Sequence, residues 1–155
     1  MNESAAAITT IAHQIQLAVA PVFLLAGIAG MINVLAHRLA RVVDRSRQLE
    51  AEPPDAHEPV HSLWLAEMQI LDARMRVVNW ALSCFTAGAL FVCVVVAILF
   101  VAGLADFGFA KTVAVLFILA MLLLIAGLIL FLYEVRLATR ALRISRRRRL
   151  ERLAE

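Results

Sequence analysis

The stretch TVAVLFILAMLLLIAGLILFLY, residues 112–133, decides the fold of this protein. It contains no formally charged residue. A helix that crosses a bilayer needs roughly 20 consecutive, mostly apolar residues, and this stretch is long enough. It also lacks the polar face that a helix of a soluble bundle turns toward water. The stretch therefore predicts a membrane-spanning helix.

Two further stretches of the same kind precede it, at about residues 15–36 and 79–104, and neither contains Asp, Glu, Lys or Arg. The composition agrees, since 63% of the 155 residues are hydrophobic, against about 45–50% in a typical soluble domain. We predict an all-α integral membrane protein with three long transmembrane helices, forming one membrane domain over residues 1–155.

The positions of the arginines predict the orientation of these helices. The loop between the second and third spans contains Lys111 as its one Lys or Arg residue, and the N-terminal flank contains neither Lys nor Arg. The basic residues lie after the third span and between the first two, where they are Arg38, Arg41, Arg45, Arg47, Arg74 and Arg76. Because basic flanks stay in the cytoplasm, we predict an external N-terminus, an internal C-terminus and a basic cytoplasmic tail at residues 134–155.

The first two helices are expected to extend beyond the membrane as a cytoplasmic hairpin, residues 37–78. No Gly, Pro or cluster of turn residues interrupts the chain from Ala36 to the sequence EPPDAHEP at residues 52–59. The second helix starts near Ser62, well before its apolar span begins. Both extensions have an apolar stripe at helical spacing, and we expect these two stripes to pack against each other.

The first helix also has a face that changes from small to polar to ionisable residues. At 100° per residue, this face contains Ala26, Gly30, Asn33, His37, Arg41 and Asp44. Its first two members are a small-xxx-small pair, which permits close approach of another helix. Three interpretations remain open: a solvated face with local ion pairs, a subunit interface, or the lining of a polar pathway.

Two more sets of polar residues are candidates for contacts with partners. Asp72, Arg76 and Asn79 share the polar face of the hairpin's second helix. This face is expected to meet water, a partner subunit or a central pathway. The tail contains a basic run, Arg146, Arg147, Arg148 and Arg149. Beside a membrane, each such residue contributes about 1 kcal/mol of attraction to anionic lipid headgroups, so we expect lipid contacts here and no nucleic acid.

Recognisable catalytic chemistry is missing from the sequence. It contains neither a Gly-rich phosphate loop nor a nucleophile motif. His57 and His61 are four residues apart, but a structural zinc site requires four ligands at recognisable spacing. Cys84 and Cys93 lie within an apolar run and are expected to pack as small hydrophobic thiols. We predict no catalytic, cofactor-binding or metal-binding residues, and no enzyme.

The stretch IQLAVAPVFLLAGIAGMINVLAHRLARVVDRSRQLE, residues 15–50, resembles a bacterial inner-membrane family catalogued as domain of unknown function 2721. The resemblance rests on Ala20-Pro21, the FLL at residues 23–25, Asn33 and the array from Arg38 to Arg47. It also includes the three-span pattern and the basic tail. It implies a multi-pass protein of the bacterial inner membrane and brings no assigned activity.

These observations favour a homo-oligomeric membrane protein that forms a pore, channel or transport-like assembly lined by the first helix. The alternative is a non-catalytic accessory or scaffold protein that binds a partner or anionic lipid through its cytoplasmic helices. In both cases the expected partner is the lipid bilayer, and the first also requires further copies of this chain. The residues identify no ion or small-molecule ligand.

Overall fold

A computed structural model gives the backbone of residues 2–55, 60–105 and 110–152, and the side-chain surroundings of residues 15–16, 19–55, 60–102 and 111–138. Within these ranges the chain forms three helices and no strand. The helices are α1 (Asn2–Ala51), α2 (Val60–Ala105) and α3 (Ala110–Arg152). The predicted all-α fold is therefore confirmed.

Each helix contains a segment that is long and apolar enough to cross a membrane: Val19–Ala51, Val60–Ala102 and Lys111–Ala138. At most 22% of the most apolar part of any of these segments is buried by the chain itself. Most of this apolar surface therefore faces outward, where contact with water would be unfavourable. The prediction of three membrane-spanning helices is confirmed in length and composition, while their orientation stays a prediction.

The end of α1 follows from the sequence around it. The helix runs without a break to Ala51, and Pro53 and Pro54 follow directly. Proline has no backbone N–H and disfavours helical geometry in the residue before it. The chain therefore leaves the helix here.

α1 and α2 pack against each other, as predicted, within residues 37–78, between the first and second apolar spans. Val42 and Leu49 of α1 form a buried cluster with Leu71 of α2. Three partly buried side chains of α2 pack against this cluster: Trp64, Met68 and Met75. The apolar stripes of both helices thus meet in a helical hairpin.

Trp64 also stabilises the end of α1. Its Nε1–H donates a hydrogen bond to the carbonyl oxygen of Leu49, at 3.0 Å. This carbonyl is among the last four of the helix, which have no partner within the helix itself. The His61 ring stacks on the indole with 5.8 Å between ring centroids. Trp64 therefore fills the hairpin core and satisfies a backbone group at the same time.

The chain divides by its contacts into two compact units. The first, which we call the apolar unit, is Met1–Ile32 with Cys84–Ile125, and the second, the polar unit, is Asn33–Ser83 with Ala126–Glu155. The single domain expected over residues 1–155 stays a prediction.

In the apolar unit, α2 and α3 approach closely at Gly88. A Cβ atom at this position would lie 3.0 Å from Leu124 Cδ2 and 3.5 Å from the carbonyl oxygen of Ala120. Small residues allow such an approach between membrane helices. The absence of a side chain at Gly88 therefore sets the spacing of these two helices.

Candidate functional site

The buried side of each helix repeats at intervals of three, four or seven residues. On α2 it includes Val60, Glu67, Leu71, Val78, Ala81 and Phe85. On α3 it includes Ala120, Leu124, Gly127 and Glu134. Such spacing keeps one seam of a helix against its neighbours, as in a coiled coil, and the seam positions are normally apolar. Glu67 and Glu134 are therefore carboxylates at positions where the pattern favours hydrophobic residues.

Glu134 is the centre of a charged cluster in the polar unit. It is 0% exposed, and its Oε1 accepts two hydrogen bonds from Arg74, from Nε at 3.1 Å and Nη2 at 2.8 Å. On the other side, Arg38 Nη2 lies 2.7 Å from Glu134 Oε2. Arg38 belongs to α1, Arg74 to α2 and Glu134 to α3, so a single carboxylate joins all three helices.

The two arginines contact Glu134 in different ways. Arg74 forms well-directed hydrogen bonds, whereas the contact of Arg38 with Oε2 is an ion pair without hydrogen-bond geometry. The Arg38 guanidinium carbon also lies 5.4 Å from the centroid of the Phe131 ring. This distance is typical of a cation–π interaction. Phe131 and Glu134 are three residues apart on one face of α3, so this face provides both partners of Arg38.

A second charged pair lies between α1 and α2. Arg45 donates from Nε at 3.0 Å and from Nη2 at 2.7 Å to Oε1 of Glu67. The carboxylate is buried, whereas 42% of the Arg45 side chain is exposed. The pair thus has one buried partner and one partner that reaches the surface.

The burial of these charges makes their pairing energetically important. Removing one partner of a buried ion pair costs about 3–5 kcal/mol, because the remaining charge stays buried without compensation. Replacing the whole pair by apolar residues is often neutral. We therefore infer that the Glu134 cluster mainly determines how the three helices align. Its contribution to net stability is smaller.

The face of α1 that the sequence singled out lies on the surface of the chain. All six of its residues are exposed: Ala26, Gly30, Asn33, His37, Arg41 and Asp44. No atom lies within 4 Å of a Cβ built at Gly30. The single chain therefore leaves this face uncovered, and its role as a solvated face, interface or pathway stays a prediction.

The polar face predicted on α2 is exposed as well. Asp72, Arg76 and Asn79 all lie on the surface. Asp72 and Arg76 are four residues apart but do not pair with each other in the described part of the chain, where the ion pairs involve Glu67 and Glu134. For Arg146, Arg147, Arg148 and Arg149 the structure describes the helical backbone of α3 but not the side chains, so their lipid contacts stay a prediction.

The sequence pattern did not identify the residues of the charged cluster. The predicted third span ended at Tyr133, and Glu134 was assigned to a cytoplasmic tail. Arg38, Arg45 and Arg74 served only to predict orientation. A signal was nevertheless present, because Glu134 continues the buried side that contains Ala120 and Leu124. An acidic residue on a buried seam requires a cationic partner, and the arginines of α1 and α2 were the available candidates.

The described residues contain no group of three or more His, Cys, Asp or Glu side chains that could hold a metal ion. Cys84 and Cys93 are free thiols. The expected absence of catalytic, cofactor and metal residues stays a prediction. The assembled groups are guanidinium and carboxylate, which bind and orient by charge and directed hydrogen bonds.

Three long apolar helices, joined by a buried Arg–Glu–Arg cluster, define a multi-pass helical membrane protein. The chain belongs to the family described as Protein of unknown function (DUF2721), whose model matches residues 18–144. The matched region includes Arg38, Arg74 and Glu134, and it confirms the resemblance seen in the sequence. Comparison with curated proteins and with solved structures gave no match.

Proposed function

We propose that the protein is a non-catalytic, homo-oligomeric protein of the bacterial inner membrane, whose subunits associate along α1 into a pore-like or transport-like assembly. The observation that carries this proposal is the uncovered succession of Ala26, Gly30 and Asn33 on α1. The inner membrane as its location is supported by the resemblance and by the distribution of arginines.

The physical argument starts from the amide of Asn33. This residue is exposed and lies near the end of the first apolar span, residues 15–36. An amide placed against lipid without a hydrogen-bond partner is unfavourable. A second copy of α1 can approach at Gly30, where the surface is open, and bring a partner to the amide. Such contacts average about 0.6 kcal/mol in one membrane protein, and symmetry repeats them at each interface.

The pore-like arrangement is supported by the residues that continue this face. His37, Arg41 and Asp44 are exposed on the same side of α1. Around a symmetry axis they would form rings of polar side chains, which is how many oligomeric channels select ions. The buried Glu134 already has two arginine partners within its own subunit. Glu134 is therefore not available to line a path. The exposed polar residues of α1 are available, and they would meet those of other copies between subunits.

The test is the mass of the full chain in native nanodiscs, combined with ion flux into liposomes that contain the protein. Wild type is expected to be an oligomer that supports flux. Gly30→Leu should shift the mass toward monomer and reduce flux, because the larger side chain blocks helix approach.

Ala29→Leu is the matched control, since Ala29 is exposed and lies about 100° away around α1. It should leave both measurements unchanged. A monomeric wild type, or equal dispersal by both variants, would overturn the oligomer. An intact oligomer without flux for any ion tested would overturn the pore.

The second candidate is a scaffold role, supported by the face of Asp72, Arg76 and Asn79. These residues are exposed on the α2 arm of the hairpin. A photo-crosslinker placed at Arg76 in cells distinguishes the candidates. A monomer with one reproducible adduct to a different protein would favour the scaffold, whereas adducts between copies of this chain would favour self-association.

A further inference from the structure

The polar unit contains a cleft whose wall is rich in arginine. Four arginines line it: Arg38, Arg41 and Arg45 of α1 and Arg74 of α2. Val42 and Leu71 contribute apolar surface, and the cleft has a volume of about 280 Å³. The arginines of α1 are three and four residues apart, which places them on adjacent turns of one side of the helix. The cleft is slightly smaller than the range for drug-sized ligand sites, about 300–1,000 Å³, and is large enough for a small anionic group.

The two carboxylates that pair with these arginines are buried. Glu134 and Glu67 are 0% and 3% exposed, and neither lines the cleft. They hold Arg74 and Arg45 through the Nε and Nη2 atoms of each guanidinium. A guanidinium has five N–H donors, so the Nη1 groups are not used in these contacts. The buried carboxylates thus orient Arg45 and Arg74, and the Nη1 groups of both arginines can still donate hydrogen bonds to a ligand.

The arginines that line the cleft outnumber the carboxylates that pair with them. Four guanidinium groups line the cleft and two buried carboxylates pair with three of them, which leaves two positive charges in excess within this set. Asp44 is exposed on the same side of α1 as Arg41 but forms no ion pair with it in the described part of the chain. Arg41 is exposed and forms no ion pair with a carboxylate in the described part of the chain. We propose that this cleft binds a phosphate-bearing anion, with Arg41 as its freely available cation. Planar guanidinium groups match phosphate oxygens in pairs.

The position of the cleft indicates two sources for such a group. Trp80 and Tyr133 are exposed aromatic residues of the same unit, and Tyr133 directly precedes Glu134. Tryptophan and tyrosine prefer the headgroup level of a bilayer. A lipid phosphate can therefore reach the arginines from the membrane, and a soluble phosphate can reach them from water. The cleft lies within a single chain and does not require the proposed oligomer, although Arg41 also belongs to the face of α1 proposed for self-association.

The experiment is native mass spectrometry of the full chain in neutral detergent, titrated separately with phosphatidylglycerol and phosphatidylcholine. Wild type should retain phosphatidylglycerol in preference to phosphatidylcholine. Arg41→Gln should weaken this binding about fivefold, since one basic residue near an anionic surface contributes about 1 kcal/mol. Arg47→Gln is the matched control, because Arg47 is exposed on the same helix but does not line the cleft. It should bind as wild type does.

A second titration with inorganic phosphate distinguishes the sources. Displacement of phosphatidylglycerol by phosphate would show one site for both, and phosphate binding without lipid retention would assign the cleft to a soluble group. Equal weakening by Arg41→Gln and Arg47→Gln, or binding of neither probe, would overturn the proposal. Gly30→Leu should disperse the oligomer and keep the binding, so the two proposals can fail separately.

Discussion

Arg74 and Glu134 are sixty positions apart in the chain, yet one guanidinium donates two hydrogen bonds to one carboxylate oxygen, at 3.1 Å and 2.8 Å. The carboxylate is fully buried, and the Arg74 side chain is 16% exposed. Charged groups in such surroundings are stable only when they are paired. These two hydrogen bonds therefore fix how α2 is rotated about its axis against α3, and how far it is shifted along that axis, at this contact.

The first prediction concerns this pair. Glu134→Leu should lower the free energy of unfolding by about 3–5 kcal/mol, because it leaves two arginines without their shared partner. Arg74→Met should cost less, since Arg38 still neutralises the carboxylate. The measurement is thermal or denaturant unfolding of the full chain in detergent micelles.

The control for this prediction is Asp72→Asn on the same helix as Arg74. Asp72 is exposed, so its replacement should change stability by no more than about 0.5 kcal/mol. In the double variant Arg74→Met with Glu134→Leu, the loss should be smaller than the sum of the single losses, because the residues are in contact. Additive losses would show that the two groups are not coupled.

The second prediction tests the core of the helical hairpin. Val42 is 2% exposed and packs with Leu49 and Leu71. Leu49→Asp buries an unpaired carboxylate in this cluster, at a position that does not line the arginine-rich cleft, and should strongly reduce expression and thermal stability. Gln48→Asp introduces the same group at an exposed position of α1 and should be mild. Equal behaviour of the two variants in a melting experiment would contradict this packing.

The third prediction separates two glycines with different surroundings. Gly88→Leu should destabilise the single chain, because its Cβ would already lie 3.0 Å from Leu124 Cδ2. Overpacking of this kind typically costs about 1–3 kcal/mol. Gly30→Leu should not lower chain stability, since the space around Gly30 is open and leucine favours a helix more than glycine does. Detergent unfolding measured at a concentration where both variants are monomeric is the check, and a reversed order would refute it.

The fourth prediction is the topology. A reporter that is active only in the cytoplasm should be active when fused to the C-terminus and inactive when inserted at residues 106–111, because the basic residues flank the opposite ends of the spans. Activity at the 106–111 position, or silence at the C-terminus, would reject an external N-terminus with three spans.

The sequence by itself determined the helices and their outward faces. Apolar runs such as residues 112–133 have the length of a membrane span, and helical periodicity assigns each residue to a side. Asn33 and Arg41 of α1 and Asp72 of α2 were placed on polar faces by this rule, and all three are exposed. Local geometry is enough for such inferences, because a residue's direction on a helix depends only on its position in the chain.

The pairing of buried charges was decided only by the tertiary structure. The sequence offers many arginines near the membrane boundary, and helical periodicity, which places Arg41 and Arg76 on polar faces, does not show which arginine pairs with Glu134. Which of them meets Glu134 depends on the rotation and relative height of packed helices, and these are set by seam side chains far apart in the sequence. The close approach at Gly88 has the same origin, since a glycine becomes a contact point only when another helix lies against it.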